Sequence, residues 1–161
     1  MHFSTQATLV ASVVLLAASP VGSQTASQSA SHRVYTPQEI TWVAGPSSMP
    51  KGVEAALLYG DPTKEGPFSL RLRFPANYQI PPHRHPGAEI LTIISGTFIY
   101  GAGEAADRSK AQPMPAGSFT VMPPNMAHFG LTDEVTVIQL NSIGPWSITY
   151  VNPADDPRRP Q

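Results

Sequence analysis

The prolines constrain this chain most. There are 18 in 161 residues, about 11% and roughly twice ordinary usage. Seventeen of them follow residue 30. A proline inside a helix removes a backbone hydrogen bond and strikes the preceding turn. That density excludes a coiled coil, a helical bundle or any fold resting on long helices. It permits short extended segments joined by turns, and the apolar pattern agrees. From Ile40 onward, short apolar runs alternate with Pro, Gly, Asn and Asp. Strands are expected over 40–44, 53–59, 68–74, 77–85, 88–95, 97–101, 118–122, 126–130, 134–141 and 146–151. The clearest is Phe68 to Phe74, where Phe68, Leu70, Leu72 and Phe74 share one face and Ser69, Arg71 and Arg73 the other. The fold class is therefore all-β: a β-sandwich, a jelly roll or a small barrel. The polar stretch 101–116 is expected to be an exposed loop.

Composition then narrows the chemistry. The chain has no cysteine, which excludes disulfide staples, cysteine zinc sites and thiol catalysis. Charged residues make up 13%, and the formal net charge is −1. Without a basic surplus, nucleic acid is not an expected partner. The length suits one domain with a real core.

The N-terminus reads as an address. Residues 1–31 contain no Lys, Arg, Asp or Glu. The apolar run from Ala7 to Ala18 is too short for a membrane span, which needs about 20 residues, but it suits a secretory signal peptide. Val21-Gly22-Ser23 offers small residues for cleavage after Ser23, although the positively charged start usual in such segments is missing. The expected organisation is a signal peptide over 1–23, a polar linker over 24–37, a folded domain over 38–152 and a flexible tail over 153–161. The mature protein would be secreted or periplasmic, with no membrane span.

Three histidines remain after His2 and His32. His83 and His85 form His-x-His, and on a strand residues i and i+2 share a face, about 6.5–7 Å apart. Glu89 opens the apolar run Ile90 to Ile94, where an unpaired carboxylate would be costly to bury. His128 lies in a second apolar stretch. Taken singly, each has an ordinary reading: a satisfied core or surface histidine, or a rim glutamate. Together, three imidazoles and a carboxylate suit Mn, Fe, Co, Ni, Cu or Zn, and suit Cu(I) poorly.

The joint spacing resembles the cupin superfamily. Its first motif, G-x5-H-x-H-x3,4-E-x6-G, is matched by His83-x-His85-x3-Glu89-x6-Gly96, with Asn77 at the leading glycine. Its second, G-x5-P-x-G-x2-H-x3-N, is matched by Gly117-x5-Pro123-x-Asn125-x2-His128-x3-Thr132, with Asn125 and Thr132 as departures. Asparagine tolerates positive φ, so both turns can survive the change. The likeness covers roughly residues 38–152 and extends to small single-domain cupins, including ChrR-like modules. It implies a cupin double-stranded β-helix, a jelly-roll barrel. His83, His85, Glu89 and His128 would then hold one divalent transition metal ion (Mn, Fe, Cu, Ni or Zn).

Four protein ligands leave one or two positions open on such an ion, as catalytic sites require. The expected function is that of a metal-dependent oxygenase or related oxidoreductase acting on a small oxygen-rich substrate. Isomerase or lyase chemistry, a non-catalytic ligand-binding cupin and a storage protein are the alternatives. A signal peptide argues against an anti-sigma role, which needs a cytoplasmic partner. Gln139 and Asn141 are candidate pocket amides, with ordinary sheet hydrogen bonding slightly preferred. Arg71 and Arg73 read as solvated surface before anion clamp. Tyr78, Phe98, Tyr100, Phe129 and Trp146 read as barrel core or dimer interface. A homodimer is expected from exposed strand edges.

Overall fold

The computed structural model describes His2 and residues 32–159. Apart from His2, the expected signal peptide lies outside the described residues, as does most of the expected linker. The chain divides into two units, Met1–Arg33 and Val34–Gln161, and every described strand belongs to the second. Among the described residues there are eleven strands: β1 (Val43–Ala44), β2 (Glu54–Tyr59), β3 (Gly66–Phe74), β4 (Tyr78–Arg84), β5 (Glu89–Ser95), β6 (Thr97–Ala102), β7 (Gln112–Pro115), β8 (Phe119–Met122), β9 (His128–Thr132), β10 (Thr136–Gly144) and β11 (Thr149–Tyr150). They form two antiparallel sheets, ordered β1-β2-β3-β10-β5-β8 and β11-β4-β9-β6-β7. This is an all-β jelly roll. Among the described residues, no helix is long and apolar enough to cross a membrane.

The period-2 pattern of β3 determines which face it buries. Phe68, Leu72 and Phe74 point inward and are buried, and Leu70 on the same face is partly buried. Removing such a side chain from water is worth about 1.5–3 kcal/mol each. On the outer face, Arg71 Nε donates to Gln139 Oε1 at 3.2 Å. Arg73 pairs with Glu54 at 2.6 Å and lies 4.5 Å above the Trp42 ring. Both arginines thus lie on the outer face of β3, engaged with neighbouring side chains.

The register of β4 against β9 carries the decisive irregularity. Ile80 pairs with Gly130 and His83 with His128, so three steps on β4 oppose two on β9. The extra residue falls at Pro81-Pro82, a bulge that suits residues with no N–H to give the ladder. It also reverses the strand's alternation. Tyr78 and Ile80 face inward before it, and His83 faces inward after it. Both asparagines at motif glycine positions adopt the left-handed conformation, with φ 58° at Asn77 and 62° at Asn125. Buried Thr132, which stands at the second motif's final position, donates from Oγ1 to Pro75 O at 2.8 Å and ties β9 to the turn before β4.

One expectation needs correction. Residues 101–116 are not wholly loop, because Gln112–Pro115 forms β7, paired with β6 and burying Met114 against Phe98. Its prolines are tolerated because β7 is the outermost strand of its sheet. Gln139 and Asn141 lie on the outer face of β10, while Ile138 and Leu140 point inward. Beyond β11, Pro153–Asp155 makes a short 3-10 turn and Arg158 donates to Ile148 O at 3.1 Å.

Candidate metal centre

The four motif residues meet between the sheets. His83 on β4, His85 just beyond it and His128 at the start of β9 come from the five-stranded sheet. Glu89, the first residue of β5, reaches in from the six-stranded sheet, where it pairs with Met122. All four are buried, with 4–6% of their surface exposed. One ring nitrogen from each histidine lies within 4.8 Å of the others, a grouping that can hold a metal ion. Glu89 Oε2 is 3.0 Å from His128 Nε2 and 3.5 Å from His85 Nε2.

Backbone carbonyls set the orientation of each ring. His83 Nδ1 faces Pro81 O at 2.7 Å, His85 Nδ1 faces Ser147 O at 2.8 Å, and His128 Nδ1 faces Met126 O at 3.1 Å. A carbonyl oxygen can only accept, so each Nδ1 is the donor and each Nε2 is left to face the interior. Metal-ligating histidines are held in this way. Burial, then the neighbouring His128 and His85 rings, pushes His83 well below the ordinary histidine pKa. Burial also lowers His85, against the pull of Glu89. Neutral imidazole is the form that binds metal.

The donor set fits a cation by a further test. His85 Nε2 and Glu89 Oε2 are buried and have no hydrogen bond. Buried polar atoms without partners are rare and costly. A divalent ion among these four residues would satisfy both.

A cavity of about 370 Å³ adjoins the four residues. Its walls are Leu70, Leu72, Phe74, Ile80, Leu91 and their apolar neighbours, and Val43 and Leu57, 59% and 51% exposed, stand at its rim. Ser48 and Met49 also border it. The backbone there is pinned by Tyr150, whose hydroxyl donates to Ser48 O at 2.8 Å, and by Tyr78, whose hydroxyl donates to Pro50 O. Burial raises the Tyr150 hydroxyl to about 12, so it remains a donor.

Trp146, one of the five aromatics expected in the barrel core or at a dimer interface, does pack against the core. Here it stacks on His85, centroids 4.1 Å apart and planes 16° from parallel, and forms part of the cavity wall. Its backbone N–H donates to Pro62 O at 2.7 Å, and the next residue supplies the carbonyl that orients His85. No spacing rule links residue 146 to residue 85, so the chain pattern held no signal for this contact. Phe98, Phe129 and Tyr78 are core residues as expected, and Tyr100 is partly buried against them.

Comparison with known proteins matches residues 30–146 to the ChrR Cupin-like domain. Curated relatives are germin-like proteins. One from Oryza sativa subsp. japonica, germin-like protein 2-3, is 35% identical over 79 residues, covering 45% of this chain and 35% of that protein. Another from Arabidopsis thaliana, germin-like protein subfamily 1 member 7, is 34% identical over 91 residues, covering 52% of this chain and 40% of that protein. The match thus spans well under half the length of either relative. Among solved structures, a polyketide cyclase from Streptomyces resistomycificus superposes with a TM-score of 0.63 at 14% identity, covering 78% of this chain and 89% of that one. An acetylacetone dioxygenase from Acinetobacter johnsonii gives 0.60 at 16% identity, covering 79% and 82%. At such identities the likeness is one of fold.

Proposed function

The chain belongs to the ChrR cupin-like family, and we propose that it is a metal-dependent oxygenase. In this reading His83, His85, Glu89 and His128 hold one divalent transition metal ion beside a small-molecule cavity. The observation that carries it is the pair of orphaned buried atoms, His85 Nε2 and Glu89 Oε2, within a cluster of inward-turned imidazoles. A redox-active ion held there would supply a Lewis acid and a route for electrons to dioxygen.

The cavity wall supports this reading over isomerase or lyase chemistry. A proton-shuttling enzyme needs a general acid or base within reach of its substrate. Among the described residues lining the cavity, the titratable side chains are the three histidines and Glu89 themselves. With those four engaged as ligands, the lining offers no further titratable side chain for that role. The chain's contribution is to orient the ligand rings through the Pro81, Met126 and Ser147 carbonyls and to line the space beside them with apolar side chains. Dioxygen chemistry and plain ligand binding both remain compatible with such a wall. The dioxygenase among the structural neighbours supports the first, as analogy only.

We further propose export, supported by the uncharged N-terminal 31 residues and the apolar run Ala7 to Ala18, and a homodimer paired through strand edges. The functional test is elemental analysis of protein purified from its export route, followed by oxygen uptake with diols, diketones and flavonols. One equivalent of Mn, Fe, Cu or Ni with substrate-dependent oxygen consumption is the expected result. Stoichiometric metal without turnover of any of them would leave a binding protein.

A further inference from the structure

The cavity combines a charged end with walls that carry no compensating charge. From the lining and the charges, we infer that the ligand is a monoanion with an apolar body, and that dianions and polyols are excluded. The inference rests on the metal reading above.

The charge count comes first. Among the described residues lining the cavity there is no Lys or Arg, and the one acidic group is Glu89. Each ring turns Nδ1 to a backbone carbonyl, so an ion held at the Nε2 atoms meets three neutral imidazoles. A divalent ion plus the Glu89 carboxylate therefore leaves a single net positive charge. A monoanion neutralises it. A dianion would leave one uncompensated negative charge between Leu70, Leu72, Phe74 and Leu91. A buried charge without a partner is strongly disfavoured. The arginines that could have helped, Arg71 and Arg73, sit on the outer face of β3, committed to Gln139 and Glu54.

The polarity of the wall comes second. Away from the four ligands, the polar side chains lining the cavity are Ser48, Thr63 and Ser147, with the Trp146 indole. Thr63 Oγ1 already donates to Asp61 Oδ1 at 2.6 Å. The remaining lining groups cannot match the many hydroxyls of a sugar or sugar acid, and an unmatched hydroxyl moved out of water is costly. Leu70, Leu72, Phe74, Ile80, Ile138 and Leu140 suit a ring or short alkyl body instead. At about 370 Å³ the space lies at the small end of ligand pockets.

The test uses the full chain loaded with Co²⁺ and reads binding, with no turnover involved. Titrants are tropolone (an apolar monoanion), oxalate (a small dianion) and gluconate (a polar monoanion). Binding is followed by calorimetry and by the cobalt absorption bands, with metal retention checked by elemental analysis. Tropolone should bind about tenfold or more tighter than either competitor, the size expected for one uncompensated or unsolvated group. A Leu57→Arg variant, altered at the exposed rim where the fold tolerates change, should narrow the gap between oxalate and tropolone and leave gluconate weak. Oxalate or gluconate binding as tightly as tropolone to protein that retains its cobalt overturns this inference and leaves the metal site standing. Failure to take up cobalt overturns the metal reading instead.

Discussion

The two sheets supply the candidate site in different ways. The five-stranded sheet provides three imidazoles, each oriented by a backbone carbonyl. For His83 and His128 that carbonyl lies two residues back in the same chain segment, at Pro81 and Met126. The six-stranded sheet provides Glu89, whose Oε2 has no hydrogen bond at all. The histidines are therefore set in place by the fold before any ligand arrives. The carboxylate is buried against them, and in the proposed reading a cation would satisfy it. The contrast predicts that the histidines determine whether metal binds, while Glu89 also determines what the metal-free protein endures.

The largest effect should come from the histidine side. His83→Ala should reduce metal content by about tenfold or more, because the remaining donors no longer close around an ion. Circular dichroism should still report a folded β protein. Stoichiometric metal in this variant would remove the distinction between the sheets. Next comes Glu89→Gln, which keeps shape and removes charge. Metal affinity should fall about tenfold, yet the metal-free protein should melt no lower than the parent, since replacing an unsatisfied buried charge is often neutral or stabilising. A clearly lower melting temperature for the metal-free variant would show that Glu89 is already satisfied without metal.

How far the site was legible in the sequence follows the same division. The ligand spacing was readable because turn positions and donors recur at fixed offsets, and Asn77 and Asn125 at positive φ show why the two departures from glycine do no harm. The orientation of β4 was not readable by alternation. Counting by twos from Tyr78 and Ile80 puts His83 on the outer face, and only the Pro81-Pro82 bulge turns it inward. On β10 both faces carry apolar residues, Val137 outside and Ile138 and Leu140 inside. Parity alone could not tell which face Gln139 and Asn141 share. β7 was hidden by the polarity of residues 101–116, and its two prolines, common in loops, fit the outermost strand of its sheet. Trp146 meets His85 only through the tertiary fold.

Trp146 marks an intermediate case, a support for one histidine from outside its own segment. Trp146→Ala should weaken metal binding less than loss of a ligand, by about severalfold, through a looser His85 ring. Trp146→Phe should restore most of it. Equal loss in both variants would indicate damage to the 145–148 backbone in place of lost stacking. The smallest effect is a dependence on pH. His83 and His85 titrate lower in the folded chain than the ordinary 6.5, so the unfolded chain takes up protons first. Their contribution to metal-free stability is complete above pH 6.5 and is lost as the pH falls below it. Thermal melts of the metal-free protein from pH 7.5 downward should show this decline, and it should be weaker in His83→Ala. A metal-free protein that gains stability on acidification through this range would contradict the buried, neutral imidazoles.

The central claim is that both sheets contribute to one metal centre. X-ray absorption at the metal edge of the cobalt-loaded full chain tests it most directly. The account predicts scattering from three imidazole rings and a carboxylate oxygen, with the carboxylate contribution lost in Glu89→Gln. Fewer than three imidazoles, or a spectrum unchanged by that substitution, would contradict it.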